Sequence, residues 1–229
     1  MTPPESLAES LAEPLAERPA AAPEIAAVLL AGGLSRRMGG GDKCLRELGG
    51  RTLLARIIAT IRPQVAALAL NANGDAARFA AYDLPVVADP VAGFPGPLAG
   101  ILAGMRWAAA AAPGCRWLWS LPTDTPFPPP VLATRLLATV EAGATIATCA
   151  SGGRRHPAIA LWPVALADAL ERALVQEDLH KIEVFTGRYA RTLVEWPTLP
   201  YDPFFNANGP EDLIAAERLL RDAASRETP

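Results

Sequence analysis

Aromatic side chains make up only 6% of the 229 residues, histidine appears twice and cysteine three times. Cys44, Cys115 and Cys149 are odd in number and far apart, which fits neither a disulfide framework nor the short paired spacings of a zinc site. A reducing compartment is expected. Surplus basic charge is missing too. The formal net charge is −3, and the first 24 residues hold Glu5, Glu9, Glu13, Glu17 and Glu24 against Arg18 alone. From Ile25 onward 20 Lys and Arg face 19 Asp and Glu, so the Lys/Arg excess that phosphate-backbone binding uses is absent and nucleic acid is not an expected partner. No secretory leader is visible, because the opening residues carry no basic segment and no apolar run follows them. The least charged long stretch, 84–105, contains Asp89 and is interrupted by Pro and Gly, unlike a membrane span of about 20 apolar residues. The expectation is a soluble, cytoplasmic protein that does not engage a membrane.

What the chain does contain is enough apolar material to fold: 51% of residues, with a mean hydropathy of +0.19. This length suits a single domain. Residues 1–24 carry a four-residue repeat, Ser6-Leu-Ala-Glu9, Ser10-Leu-Ala-Glu13 and Pro14-Leu-Ala-Glu17. Pro14 interrupts a helix already too short to hold alone, so the segment reads as a flexible Ala/Pro/Glu-rich extension ahead of a domain over 25–229. From Ile25 short apolar runs alternate with helical periodicity. Strands are predicted over 25–31, 67–70, 84–87, 117–121, 145–150, 158–162 and 192–196. Helices are predicted over 53–61, 98–112, 130–140, 164–175 and from 210 to about 221. That alternation predicts an α/β fold, a mostly parallel doubly wound sheet with helices on both faces and its ligand beyond the carboxyl ends of the strands. Those ends carry Gly32, Asn71, Asp89 and Asp124.

Chemistry concentrates after the first strand. Leu30-Ala-Gly-Gly33, then Ser35-Arg-Arg37 and Gly39-Gly-Gly-Asp-Lys43, combine five glycines with three basic residues. Glycine lets backbone amides approach and surround an anion, and Lys43 adds a compact charge suited to phosphate oxygens, with a planar fork available from Arg36 or Arg37. The loop is neither a Walker A motif, since Lys43 is followed by Cys44, nor G-x-G-x-x-G. Asp124, in Leu121-Pro-Thr-Asp-Thr-Pro-Phe127, is a carboxylate at a strand mouth, suited either to Mg²⁺ on substrate phosphates or to an Asx-turn. Asn71 and Asp89 can bond a nucleoside or form turns, and the free amides of the helix opened by Gly96-Pro-Leu-Ala-Gly-Ile101 can meet a base or ribose. Asn208 can cap the last helix or, with Asn206, meet a second substrate or the metal. Arg154, Arg155 and His156, with Lys181 and Arg188, are candidates for an acceptor pocket, while His180 reads as a surface residue. No G-x-S-x-G elbow supports a Ser-His-Asp hydrolase.

Taken in order, the glycine loop at 30–43, Asn71-Ala-Asn73, Gly96-Pro-Leu-Ala-Gly-Ile101, the 121–127 turn, Arg154-Arg-His-Pro-Ala-Ile-Ala-Leu161 and Phe204-Phe-Asn-Ala-Asn-Gly-Pro-Glu-Asp-Leu213 closely resemble the molybdenum cofactor guanylyltransferase family. The resemblance covers nearly everything after residue 24. It implies a Rossmann-like nucleotidyltransferase of the nucleotide-diphospho-sugar transferase kind, with GTP and molybdenum-molybdopterin as substrates and pyrophosphate as by-product. It further implies nucleotide contacts by Leu30, Ala31, Gly32, Gly33, Lys43, Asn71 and Asp89, and nucleotide and Mg²⁺ contact by Asp124; Lys43, Asp124 and Arg37 are the expected catalytic residues. Other molybdenum cofactor proteins, apo-molybdoenzymes or their chaperones are the implied partners. Thr123 departs from the Cys that many relatives carry in this turn, and Gly33 and Gly96 tilt the base choice toward guanine. The alternatives are a cytidylyl or sugar-phosphate nucleotidyltransferase and a non-catalytic subunit that carries the cofactor.

Overall fold

The computed structural model describes residues 22–32, 42–91 and 96–226. In chain order they form β1 (Ala22–Leu30), β2 (Glu47–Leu48), β3 (Arg51–Thr52), α1 (Leu53–Ile61), β4 (Val65–Asn71), β5 (Val86–Val87), α2 (Pro97–Ala111), β6 (Trp117–Pro122), α3 (Leu132–Glu141), β7 (Ile146–Ser151), β8 (Arg154–Pro163), α4 (Ala167–Glu177), α5 (Ile182–Thr186), β9 (Arg191–Trp196) and α6 (Pro210–Arg226). The continuous apolar run of β1 is buried from Ile25 to Leu30. Side chains alternate across a strand, so Ile25, Ala27 and Leu29 join one core with α1 and α3, while Ala26, Val28 and Leu30 join another with α2, α4 and α5. Helices therefore cover both faces of one seven-stranded sheet, ordered β5-β4-β1-β6-β8-β7-β9.

Pairing is parallel for β5 with β4, β4 with β1, β1 with β6 and β7 with β9. Only β8 runs against its neighbours. The reason is local: Gly152 and Gly153 adopt φ of +55° and +75°, and a two-residue connection of that kind can join strands only as an antiparallel hairpin. The mostly parallel, doubly wound sheet is the architecture its strand and helix pattern implies. Register then sets the site. Leu30 lies opposite Asn71 of β4 on one side and Pro122 of β6 on the other, so the exits of three central strands are adjacent.

A small hairpin that periodicity does not reveal, β2–β3, turns through Gly49 and Gly50 at φ +56° and +73°. Arg56 donates from Nε to the Leu48 carbonyl at 2.6 Å and from Nη2 to the Gly49 carbonyl at 3.0 Å, holding the turn. Leu48 and Leu53 pack with Ala207 and Ala216 in a third core. That contact docks α6 and brings the preceding 206–208 segment to the strand exits.

Candidate functional site

The strand exits open into a cleft of about 870 Å³ lined by Leu30, Ala31, Gly32, Lys43, Asn71, Asp89 and Asp124 among others. Seven of the residues expected to contact nucleotide thus share one concavity; Gly33 and Arg37, with Arg36, lie outside the described residues.

Asp124 is aimed by its backbone. The carbonyl of Leu30 accepts from both Thr123 N–H, at 3.2 Å, and the Thr123 hydroxyl, at 3.1 Å, which locks the turn to β1. Thr125 donates its hydroxyl to the Pro122 carbonyl at 2.9 Å, and Ala207 N–H reaches the Asp124 carbonyl at the same distance. With the peptides on either side satisfied, the carboxylate faces the cleft and stays part-exposed at 26%. Its partner arrives from far along the chain. Lys43 Nζ lies 2.8 Å from Asp124 Oδ2 and donates to Asn208 Oδ1 at 2.5 Å. One ammonium therefore joins the glycine loop, the exit of β6 and the segment before α6. Asn208 is spent on this contact rather than on a helix cap; Asp212 accepts from the backbone N–H groups of Asn208 and Gly209, each at 2.8 Å, and caps α6 instead.

The nucleoside-side candidates form a polar chain. Asn71 Nδ2 donates to the Val87 carbonyl at 3.1 Å and to Asp89 Oδ1 at 2.9 Å, while Asn73 Nδ2 reaches Asp89 Oδ2 at 2.7 Å. Gly100 of α2 leaves room for this. A Cβ there would fall 2.2 Å from Asn71 Oδ1 and 2.9 Å from Leu30 Cδ2. Asn71 is buried and tethered and cannot step aside, so Gly100→Ala should cost about 1–3 kcal/mol as overpacking does. A thermal melt checks it: an unchanged melting temperature would mean that α2 shifts freely.

At the other end Arg154, Arg155 and His156 line the cleft on β8, whereas Lys181 and Arg188 do not. Arg155 Nη1 is 3.4 Å from Glu183 Oε1, and Arg188 is engaged by Glu177 at 2.5 Å. His156 is 7% exposed and its Nε2 is 2.8 Å from Ser151 Oγ, which donates onward to Asp202 Oδ1 at 2.7 Å. Because the single hydroxyl proton goes to the carboxylate, His156 must donate from Nε2. Serine sits between histidine and aspartate and its proton is directed away from the histidine, so this is an orienting chain and not a nucleophile triad. Burial holds the His156 pKa below its ordinary value, outweighing attraction to Asp202. Cys44 is no nucleophile either: it is 1% exposed, and burial, helped by Asp42, pushes its thiol up to about 11. All three cysteines are free and buried.

Sequence reasoning did not find Asp42, Asn73, Arg78, Ser151 or Asp202. Asp42 and Asn73 lie within the 30–43 and 71–73 motifs but carry no signal of their own there; Arg78, Ser151 and Asp202 are polar residues outside any motif, and Arg78 and Ser151 find their acidic partners far along the chain.

Known proteins match along most of the chain. A family profile described as the MobA-like NTP transferase domain matches residues 27–191. A molybdenum cofactor guanylyltransferase of Rhodopseudomonas palustris is 59% identical over 86% of this chain and 95% of its own, and one of a Bradyrhizobium species is 56% identical over 85% and 92%. Among solved structures, molybdopterin-guanine dinucleotide biosynthesis protein A of Archaeoglobus fulgidus superposes with a TM-score of 0.68 at 24% identity, covering 86% of this chain and 99% of that one. A 4-diphosphocytidyl-2C-methyl-D-erythritol synthase of Anaerococcus prevotii shares the fold, with a TM-score of 0.66 at 14% identity over 86% and 96%. No helix among the described residues is long and apolar enough to cross a membrane. The glycine loop, the strand-exit carboxylates and these matches agree, and the chain belongs to the molybdenum cofactor guanylyltransferase family of MobA-like nucleotidyltransferases.

Proposed function

We propose that this enzyme transfers GMP from GTP to the terminal phosphate of molybdenum-bearing molybdopterin, producing the molybdopterin guanine dinucleotide cofactor and pyrophosphate. The observation that carries the reading is the 2.8 Å contact of Lys43 with Asp124 at the mouth of the central strands, a cation and a hard carboxylate converging where a doubly wound fold takes its ligand. The guanylyltransferase names of the relatives supply the substrates.

A terminal phosphate oxygen of the acceptor attacks the α-phosphorus in line, the new P–O bond forms as the bond to the β-phosphate oxygen breaks, and pyrophosphate leaves with that electron pair. The protein positions and neutralises. Leu30, Ala31 and Gly32 present backbone to the nucleotide, Asn71 and Asp89 orient the nucleoside, and Lys43 faces the phosphates; Gly33 and Arg37 are assigned to the same phosphate site by the resemblance alone. Arg154, Arg155 and His156 face the acceptor. No covalent protein intermediate is required, in keeping with the protonated Cys44 and the engaged Ser151.

Asp124 fits Mg²⁺ as a hard oxygen donor, and Asn206 and Asn208 line the same cleft. Among the described residues no three His, Cys, Asp or Glu gather, so such an ion would take its other ligands from phosphates and water, as Mg²⁺ does. When bound it supplies charge neutralisation on the α-phosphate and the departing pyrophosphate. The enzyme would work in the cytoplasm and hand its product to other molybdenum cofactor proteins, apo-molybdoenzymes or their chaperones; of the extension expected over 1–24, residues 22–24 belong to β1.

Pyrophosphate release measured with GTP, Mg²⁺ and molybdenum-molybdopterin tests the proposal. Release with GTP but not CTP, and none when a sugar 1-phosphate replaces the acceptor, is the expected result. Binding without release would make the protein a carrier, and release with CTP or the sugar phosphate would move it to the corresponding transferase.

A further inference from the structure

Asp89 and Lys43 stand on separate segments, yet an unbroken run of polar contacts leads from Asp89 to Asp42, the residue before Lys43. Asn73 takes hold of Asp89 twice: its Nδ2 donates to Asp89 Oδ2 at 2.7 Å, and its Oδ1 accepts from the Asp89 backbone N–H at 2.9 Å. The Asn73 carbonyl then accepts from Arg78 Nη2 at 2.7 Å. Arg78 donates from Nη1 to the Asp75 carbonyl and from Nε to Asp42 Oδ2 at 2.7 Å. Asp42 immediately precedes Lys43. The guanidinium also lies 4.5 Å from the ring centroid of the buried Phe79, which holds its plane.

We propose that Arg78 and Asn73 are positioning residues that brace the nucleoside-facing Asp89 against the phosphate-facing Lys43, so that one nucleoside triphosphate meets both ends of the cleft already in register. The inference rests on the reading of the cleft as a GTP site. Neither residue needs to touch the nucleotide. Only arginine can do this: three acceptors in three directions are met by one planar fork, whereas a lysine ammonium is a single point on a flexible stem. The contacts are worth having because a ligand spanning two loops loses affinity for every degree of freedom it must freeze on binding, and a brace removes that cost beforehand. Arg78 is 29% and Asp42 17% exposed, so the pair is shielded from solvent more than a surface ion pair and its geometry is held by the neighbouring contacts.

The test is a double-mutant cycle on GTP affinity by calorimetry, with melting temperatures alongside. Arg78→Ala and Asn73→Ala should each weaken GTP binding about tenfold, since each removes contacts to a charged group. The double variant should be hardly weaker than either, because both cuts sever one chain, whereas independent damage would multiply to about a hundredfold. Arg78→Lys should not restore affinity. Asp42→Ala cuts the same chain beyond Arg78, should show the same loss, and keeps the test decisive if Arg78→Ala does not fold. Near-normal affinity in these variants, or losses that multiply, would overturn the brace while leaving the GTP site intact. Failure of the unsubstituted protein to bind GTP would overturn the site reading, and the brace with it.

Discussion

Asp124→Ala is expected to lose at least a hundredfold in turnover at saturating GTP and Mg²⁺, with its circular dichroism unchanged. A hundredfold corresponds to about 2.7 kcal/mol of transition-state stabilisation, the scale seen when one electrostatic contact to developing charge is removed. Asp124 is the carboxylate that the locked 122–125 turn aims at the cleft beside Lys43, and no trio of other ligating side chains among the described residues can replace it. Stability should change little. The side chains of Lys43 and Asp124 are 16% and 26% exposed, and the turn is held by Thr123, Thr125 and Ala207 rather than by the carboxylate. Asp124→Asn separates charge from shape: it keeps the volume and one oxygen and should lose nearly as much activity. If either variant turns over normally in a steady-state pyrophosphate assay, the metal role assigned to Asp124 is wrong.

Lys43→Met should lower kcat/KM for GTP by about a hundredfold, the change expected for removing one fixed positive charge from a phosphate site. Lys43→Arg should recover only part of it. Nζ reaches Asp124 Oδ2 and Asn208 Oδ1 at once from a single compact centre, and a guanidinium is wider than that point. Only two of the 21 basic residues in the chain are lysines, Lys43 and Lys181, so in a chain that otherwise uses arginine a lysine stands where three segments converge. Losing the ammonium also releases Asn208 from the cleft wall. The loss should therefore appear in KM as well as in kcat, and an effect on neither would remove Lys43 from the site.

Much of this was legible in the chain. The stripe of Leu53, Leu54, Ile57 and Ile61 marks α1, capped by the Thr52 hydroxyl on Ala55 N–H, and the alternation of runs and stripes marks the doubly wound sheet. Gly32, Asn71, Asp89 and Asp124 were recognisable as strand exits because an apolar run ending in glycine or in a polar residue is a one-dimensional signal. β1 begins at Ala22, ahead of the apolar run, because its first residue pairs with Val65, a matter of the partner strand rather than of local sequence. The β2–β3 hairpin escaped because two-residue strands carry no periodicity, and the antiparallel course of β8 follows from two glycines whose positive φ the letters alone do not announce.

The order of residues determined which segments become strands and helices, and which polar groups stand at strand ends, since burial periodicity and glycine freedom act within a few residues. Only tertiary structure decided the pairings. Lys43 meets Asp124 across 81 positions and Asn208 across 165, Arg78 meets Asp42 across 36, and Ser151 meets Asp202 across 51. Such contacts have no local signature, because whether a donor finds its acceptor depends on strand register and on how α6 docks, and those are settled by the packing of the whole core.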